Sequence, residues 1–287
     1  MKIAMIGCGD VGQCYGRAFH QQGMNISDVF DIATTKEVSQ LAESLNAQLH
    51  SEPGTWLAKA DVVISAVFGA VAMQTFEKVA PYMKSNAIFA DLTTAPVQDL
   101  NKAARQAQLH GVRFVDVALM GTVSLSGHRT PLFMAGQGGQ ALADLFQQIQ
   151  APVTVMDSPA GSAIALKLLR SVYTKGLEAL AVECLIAAEK QGLTNDLFAA
   201  LADLEKVKNS ELMKTMVQTH VYHAQRRLLE VLESKALVQK NGVQPLVTEG
   251  VEQRFAYTSA QLETTPYVDQ DGFSHSLKWL AKTEKEI

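Results

Sequence analysis

A glycine-rich loop near the N-terminus holds the first residues whose spacing predicts chemistry. Gly7, Gly9 and Gly12 form a GxGxxG pattern directly after the apolar run 2–6. In such a loop the first glycine permits a tight turn, the second lets the backbone approach a pyrophosphate, and the third lets a helix pack closely on a strand. The free N–H groups at the start of that helix bind the phosphates. The pattern predicts a dinucleotide site, with a glycine-rich turn that binds no ligand as the alternative.

An acidic residue at the end of the second predicted strand indicates which dinucleotide binds. A carboxylate at the position of Asp31 accepts hydrogen bonds from the adenosine ribose hydroxyls and repels a 2′-phosphate, so NAD is favoured. NADP remains an alternative cofactor, because Thr34, Thr35 and Lys36 lie nearby and can contact a phosphate. An alternative role for Asp31 itself is to cap a helix. The expected cofactor contacts are Gly7, Cys8, Gly9, Asp10, Val11, Gly12, Asp31, Val67, Phe68 and Thr93.

A lysine on a long apolar helix is the candidate acid/base. Lys167, Ser171 and Lys175 recur at every fourth position and therefore share one helical face. The other residues of this helix are largely apolar, and a partly buried lysine loses hydration, which lowers its pKa toward neutrality. The alternative is a lysine that reaches solvent along its stem.

A second polar group lies further along the chain, at His223, Arg226 and Arg227. An arginine can bind a substrate carboxylate or phosphate through two parallel hydrogen bonds. The alternative is a solvated helix face on which an arginine forms an ion pair with Glu230.

These residues are carried by two regions of different character. The first alternates strands with helices, which predicts an α/β domain with a mostly parallel sheet. After Asp157 the chain is rich in helix formers, and a second long helix is expected over 210–240, with one break as an alternative. We therefore expect a Rossmann-type dinucleotide-binding domain over 1–157 and an all-helical substrate and dimerisation domain over 158–287. The expected strands are 2–6, 28–32, 61–67, 87–92, 112–117, 131–135 and 152–156.

Composition excludes several classes of protein. The chain has 287 residues, is 47% hydrophobic and 19% charged, and has a net charge of -4, which gives no basic surface for nucleic acid. Three cysteines without metal-ligand spacing argue against a disulfide scaffold and a zinc site, and favour a reducing cytoplasm. No apolar run predicts a membrane span or a secretion signal.

The motifs occur in the order typical of the β-hydroxyacid dehydrogenase family, which includes 6-phosphogluconate and 3-hydroxyisobutyrate dehydrogenases. The chain resembles that family in the glycine loop and in segments 91–96, 116–122 and 161–171. The family places a catalytic lysine six residues after a glycine, and Gly161 and Lys167 match. Segments 167–178 and 223–227 resemble a poorly characterised branch whose members carry the label phosphogluconate dehydrogenase, NAD-binding. The resemblance also implies a homodimer formed through the helical domain.

Two departures from the family concern the substrate. Ser171 stands where the family has an asparagine that hydrogen-bonds the substrate. Met120 and Thr122 stand where the family has a serine and a second glycine, on either side of Gly121. The pocket therefore differs from that of the hydroxyisobutyrate enzymes. The chain is also too short for the long helical domain of 6-phosphogluconate dehydrogenase, so that activity is not expected.

Together these features predict an NAD(P)-dependent oxidoreductase that interconverts a small hydroxy acid, or a related alcohol, and its carbonyl form. Lys167 is the expected acid/base, and Ser171 takes the place of the family's asparagine. An imine reductase and a non-catalytic redox sensor are the alternatives, against which the lysine weighs. Thr93 and Thr94 resemble the family's loop beside the nicotinamide, although a capping turn before Pro96 is as good an interpretation. The expected substrate contacts are Thr94, Met120, Gly121, Thr122, His223 and Arg227.

Overall fold

The computed structural model describes residues 1–268 and 272–284. By its internal packing the chain divides into two compact units, residues 1–171 and 172–287. One long helix, Ser162–Glu189, contributes its first turns to the first unit and its remaining turns to the second. The expected limits of 1–157 and 158–287 for the two functional domains stay a prediction.

An eight-stranded sheet is the centre of the first unit. Its strands are β1 (Lys2–Ile6), β2 (Asn25–Phe30), β3 (Gln48–His50), β4 (Val62–Ser65), β5 (Ile88–Asp91), β6 (Arg113–Leu119), β7 (Leu132–Gly136) and β8 (Val153–Met156). They lie in the order β3-β2-β1-β4-β5-β6-β7-β8, and each neighbouring pair is parallel except β6 with β7. The predicted α/β fold with a mostly parallel sheet is confirmed.

Helices alternate with these strands in the first unit. They are α1 (Asp10–Gln21), α2 (Lys36–Ser44), α3 (Gly69–Val79), α4 (Val97–Leu109), the short α5 (Val123–Ser126) and α6 (Gly139–Gln148). Single 3-10 turns cover Thr55–Lys59, Ala80–Tyr82 and Gly127–Arg129.

The sheet has a hydrophobic core on each face because successive side chains of a strand point to opposite sides. Ile3 and Met5 of β1 pack on one face, in a cluster that includes Phe146 of α6. Ile6 packs on the other face, in a cluster that includes Phe76 of α3. Because both faces are covered, the residues free to meet a ligand lie at the ends of the strands.

The strand order determines where such a ligand fits. From β1 the chain builds the sheet outward through β2 and β3, and it then returns to place β4 on the opposite side of β1. In open parallel sheets a crevice forms at this reversal, outside the carboxyl ends of the strands. The glycine loop begins at the carboxyl end of β1 and therefore lies at that crevice.

The second unit is helical. It contains most of α7 (Ser162–Glu189), then α8 (Thr194–Leu201), a 3-10 turn (Leu204–Lys206), α9 (Asn209–Lys240), α10 (Leu246–Thr264) and α11 (Phe273–Thr283). The predicted helical character is confirmed, and α9 is continuous, without the break held open as an alternative. The buried carboxylate of Glu183 accepts the backbone N–H groups of Val247 and Thr248 and so caps the N-terminus of α10 from α7.

Several observed elements differ from the sequence-based expectations. The expected strand 61–67 covers only Val62–Ser65, and the expected strand 112–117 covers Arg113–Leu119. The second strand covers Asn25–Phe30, whereas 28–32 was expected, because the Asp31 carboxylate accepts the N–H of Ala33 and turns the chain away from the sheet. The short strand β3 was not expected, since its three residues show no alternation. Within the described residues, no helix combines the length and the apolar character needed to cross a membrane.

Candidate functional site

The loop between β1 and α1 leaves no room for a side chain at two of its glycines. Gly7 has a φ of +85°, and a Cβ there would lie 2.7 Å from the carbonyl oxygen of Ala66. A Cβ on Gly12 would lie 1.9 Å from the carbonyl oxygen of Gly7. The first glycine therefore makes the tight turn, and the third brings α1 against the loop.

The N-terminus of α1 has the features of a phosphate site. A Cβ on Gly9 would meet no atom within 4 Å, and within the described residues no side chain caps this helix. Its first N–H groups are therefore available, and the helix dipole adds partial positive charge. The residues present fit a dinucleotide whose pyrophosphate lies against the backbone of Gly9, Asp10 and Val11.

Asp31 links the glycine loop to the end of β2. One carboxylate oxygen accepts the N–H of Cys8 at 2.8 Å, and the other accepts the N–H of Ala33 at 2.9 Å. Each carboxylate oxygen has two acceptor positions, so Asp31 retains capacity for the ribose hydroxyls. These bonds fix the carboxylate beside the loop, where the adenosine ribose of a bound dinucleotide would lie.

The thiol of Cys8 is a structural group of this loop. Burial and the adjacent Asp31 carboxylate raise the pKa of Cys8 to about 12. The thiol therefore stays protonated at neutral pH and is a poor nucleophile. A contact between Cys8 and a cofactor would involve its backbone.

The loops after β4 and β5 meet at the same edge of the sheet. Phe68, which precedes α3, is 86% exposed, and Val67 before it is half-buried. A Cβ on Gly69 would lie 2.7 Å from the carbonyl oxygen of Thr94, so the two loops are in close contact. Thr93 is buried, and its hydroxyl accepts the N–H of Ala95 at 3.1 Å. The Thr93 hydroxyl thus stabilises the turn, as the alternative interpretation expects.

Lys167 and Thr94 lie together, although 73 residues separate them in sequence. Lys167 is in the second turn of α7 and half-buried, and its Nζ donates to the Thr94 hydroxyl at 3.0 Å. Burial lowers the pKa of Lys167 below its usual value, and the negative charge of Asp116 offsets part of this effect. A half-buried amine with a lowered pKa beside a hydroxyl can exchange a proton with an alcohol or a carbonyl oxygen.

Asp116, on β6, is a member of this cluster to which the sequence reasoning assigned no role. Its side chain is fully buried, and one oxygen accepts the N–H groups of Gly161, Ala163 and Ile164 at 2.9–3.1 Å. Burial raises the pKa of Asp116 to about 6, against the opposing effects of these hydrogen bonds and of Lys167. The available signal was an acidic residue inside an otherwise apolar strand, because a buried charge requires partners.

A second buried carboxylate lies on the adjacent strand. Asp91 at the end of β5 pairs in register with Asp116, and it accepts the N–H of Thr93 at 2.8 Å. Burial, together with the like charge of Asp116, raises the pKa of Asp91 to about 6. Asp91 holds the turn that presents Thr94, and Asp116 holds the helix that presents Lys167.

The expected substrate loop follows β6. Gly121 and Thr122 are exposed and Met120 is half-buried. The N–H of Met120 bonds to the carbonyl of Pro131, and the Thr122 hydroxyl accepts a hydrogen bond from Ser124. These residues lie at the carboxyl end of a strand parallel to β5, on the same edge of the sheet as Thr94. Their contact with a substrate stays a prediction.

The remaining predicted site residues lie on helices. Ser171 is half-buried, one turn beyond Lys167 on α7. On α9, in the second unit, His223 is exposed and Arg227 donates to the Thr219 hydroxyl at 3.1 Å. Arg226 pairs with Glu230, as the alternative interpretation expects. The roles of Ser171, His223 and Arg227 stay predictions. Within residues 1–268 and 272–284, no group of three or more His, Cys, Asp or Glu side chains is placed to hold a metal ion.

Comparisons with known proteins show which chains have a similar sequence or fold. An uncharacterized 28.5 kDa protein in the 7S RNA 5′ region of Methanothermus fervidus is 26% identical over 262 residues, 90% of this chain and 98% of that one. A solved conserved protein of unknown function, described as structurally similar to 3-hydroxyacid dehydrogenases, has a TM-score of 0.66 at 24% identity over 91% of this chain and 97% of its own. An imine reductase from Aspergillus terreus in complex with NADPH4 has a TM-score of 0.76 at 17% identity over 96% and 97%.

Two family models match different parts of the chain. Residues 188–258 match a domain of unknown function, DUF1932. Residues 2–156, more than half of the chain, match the NAD binding domain of 6-phosphogluconate dehydrogenase. The matched segment holds the glycine loop, Asp31, Thr94 and Asp116. The chain therefore belongs to the β-hydroxyacid dehydrogenase-like family and has its NAD(P)-binding domain.

Proposed function

We propose that this protein is an NAD(P)-dependent oxidoreductase that interconverts a small hydroxy acid, or a related alcohol, and its carbonyl form. One observation carries the proposal: the Nζ of Lys167 lies 3.0 Å from the Thr94 hydroxyl, at the edge of the sheet that also holds the glycine loop. A bound nicotinamide supplies the hydride acceptor in oxidation and the hydride donor in reduction. The residues of the chain must then bind the substrate and move one proton.

Lys167 moves that proton. In oxidation its neutral amine takes the hydroxyl proton of the substrate, and in reduction its ammonium protonates the developing alkoxide. Burial lowers the pKa of Lys167, which makes the neutral amine more accessible near physiological pH. Thr94 supports this role because its hydroxyl accepts a hydrogen bond from Nζ and so orients the amine.

Substitution of Lys167 tests the proposal once a working substrate is found. A panel of hydroxy acids, aldehydes and imines, followed by the absorbance of the reduced nicotinamide, identifies the substrate. Lys167→Ala should then lower kcat by roughly 10²–10⁴-fold and leave NAD affinity nearly unchanged, because a positioned proton donor acts as charge develops on oxygen. Lys167→Arg should not restore activity, since a guanidinium does not release a proton at physiological pH.

Lys175 provides the matched control. It lies on the same face of α7, two turns further on, and is exposed and paired with Glu178. Lys175→Ala should keep wild-type turnover. Near-wild-type turnover of Lys167→Ala would show that the proton comes from another group.

An imine reductase is the second candidate. The observation that favours it is the likeness in fold to the Aspergillus terreus imine reductase, at a TM-score of 0.76. Reduction of C=N also needs a proton donor, a role that Lys167 can fill, but the family resemblance counts the lysine against this candidate. Turnover of imines without turnover of hydroxy acids or aldehydes would establish this candidate, and NAD(P) binding without turnover across the panel would favour a redox sensor.

We also infer that the protein forms a homodimer through its helical unit. Apolar side chains are exposed along α7 over several turns, among them Val172 at 72% and Val182 at 55% exposure. Leu177 and Ile186 on the same helix and Phe198 on α8 are also exposed. Many exposed apolar side chains along one helix are typical of an interface between subunits.

A further inference from the structure

The fully buried carboxylate of Asp116 makes more contacts than a helix cap requires. One oxygen, Oδ2, accepts three backbone N–H groups at the start of α7. The other, Oδ1, is buried and has no hydrogen-bond partner among the described residues. One acceptor is sufficient to cap a helix, and an amide or a hydroxyl provides it at a lower desolvation cost than a carboxylate. The negative charge itself therefore needs an explanation.

The position of Lys167 on α7 explains why a negative charge lies at Asp116. Ala163 and Ile164, whose N–H groups bind Asp116, precede Lys167 by four and three residues, so the three lie on one face of the helix. Long helical side chains lean back toward the helix N-terminus, which is where Asp116 lies. The carboxylate and the ammonium also act on each other electrostatically.

We propose that Asp116 is the positioning residue for Lys167: it anchors the first turn of α7 and supplies a negative charge that keeps the half-buried lysine a proton carrier. The inference rests on the proposed function, in which Lys167 moves the proton. A lysine buried without a counter-charge loses its proton and can then no longer protonate an alkoxide. Asp116 limits this loss, while burial keeps the proton easy to release.

Among the described residues, the groups that favour the ionised form of Asp116 are its three backbone donors and Lys167. From β5, Asp91 pairs with it in register, and the charge of Asp116 raises the pKa of Asp91. From β7, the residue paired with it is Ala135, which carries no charge. From α7, the N-terminal N–H groups and Lys167 favour the ionised form. Lys167 on α7 thus favours the charged form of Asp116, and Asp91 on β5 is a neighbouring carboxylate that can be substituted separately.

Asp116→Asn tests the proposal without any substrate. Asparagine keeps the shape and an acceptor for the three N–H groups, and it removes the charge. The pKa of Lys167 is measured by NMR on lysine labelled with ¹³C at Cε, assigned with Lys167→Gln. We expect the pKa of Lys167 to fall below its wild-type value in Asp116→Asn. Asp91→Asn is the matched control: it removes the other buried carboxylate, and it should not lower the pKa of Lys167.

A reciprocal measurement keeps the proposal testable if Asp116→Asn does not fold. Coupling between two sites is mutual, so Lys167→Gln should raise the pKa of Asp116 by as much as Asp116→Asn lowers that of Lys167. Lys167 is half-buried at the edge of the first unit, and its substitution should leave the fold intact. The pKa of Asp116 is read from aspartate labelled with ¹³C at the carboxyl group.

The outcomes are distinct from those that test the function. The inference is overturned if the pKa of Asp116 is unchanged in Lys167→Gln, or if the pKa of Lys167 is unchanged in folded Asp116→Asn. Either result would show that Asp116 only caps α7. Both results are independent of turnover. A failure of the proposed function would instead appear as normal kcat in Lys167→Ala.

Discussion

Substitution of Gly9 separates cofactor binding by the glycine loop from the packing of that loop against α1. Among Gly7, Gly9 and Gly12, only Gly9 has free space for a side chain. Gly9 has φ of −69° and ψ of −170°, an extended conformation that any residue adopts. A Cβ there would meet nothing within 4 Å. The free space lies at the N-terminus of α1, where the pyrophosphate of the expected dinucleotide would approach. Gly9→Val should therefore block the cofactor and leave the fold unchanged.

The space around each glycine sets the expected change in stability and in dinucleotide affinity. Replacement of a glycine whose conformation suits other residues stabilises a protein by about 0.4–1 kcal/mol, so Gly9→Ala and Gly9→Val should unfold no more easily than the wild type. Dinucleotide affinity should fall at least about tenfold, which corresponds to about 1.4 kcal/mol. In contrast, a Cβ on Gly12 would lie 1.9 Å from the Gly7 carbonyl oxygen, so Gly12→Ala forces a backbone shift that costs about 1–3 kcal/mol.

Two measurements distinguish loss of cofactor binding from loss of stability in these variants. Calorimetric titration with NAD and NADH gives the affinity, and thermal unfolding without cofactor gives the stability. Gly250→Ala is the control, since Gly250 is exposed on α10 and a Cβ there would also meet nothing within 4 Å. Wild-type affinity for NAD in folded Gly9→Val would refute the cofactor assignment. Loss of stability in Gly9→Val that matches the loss in Gly12→Ala would refute the packing argument.

Three further predictions concern cofactor choice, assembly and pH. Asp31→Ala should weaken NAD binding and reduce the discrimination against a 2′-phosphate, and tighter binding of NADPH than of NADH to the wild type would contradict the expected preference. Light scattering at micromolar concentration should give the mass of a dimer, so a mass of 31.1 kDa would overturn the proposed association through α7. Burial, with the charges of Arg254 and Arg227, lowers the pKa of His220 from 6.5 to about 4. The unfolded chain therefore binds a proton that the folded chain does not, and the free energy of unfolding should fall as pH decreases from 6.5 to 4. His220→Gln should reduce this fall in denaturant unfolding, and an equal pH dependence in both proteins would be evidence against a neutral His220 in the folded chain.

Local features of the sequence were sufficient to predict the glycine loop and the elements around it. The run that ends at Gly7 becomes β1, and the helix after Gly9 becomes α1, because a buried strand, a tight turn and a helix N-terminus each have a signature within a few residues. The mostly parallel sheet follows from the same alternation of strands and helices. Strand boundaries were less predictable. The second strand ends before Asp31, whose carboxylate accepts the N–H of Ala33 two residues on and also that of Cys8, 23 residues away.

The sequence alone singled out Lys167 from its helix, and the family resemblance added Thr94. Only the tertiary structure decided that they lie 3.0 Å apart, since 73 residues separate them. The same holds for Asp116, whose bonds to the start of α7 span 45–48 residues. Helical periodicity and turn chemistry arise from neighbours in the chain, and the sequence therefore contains them directly. The burial that lowers the pKa of Lys167, and the charge that opposes this effect, arise only when β5, β6 and α7 pack together.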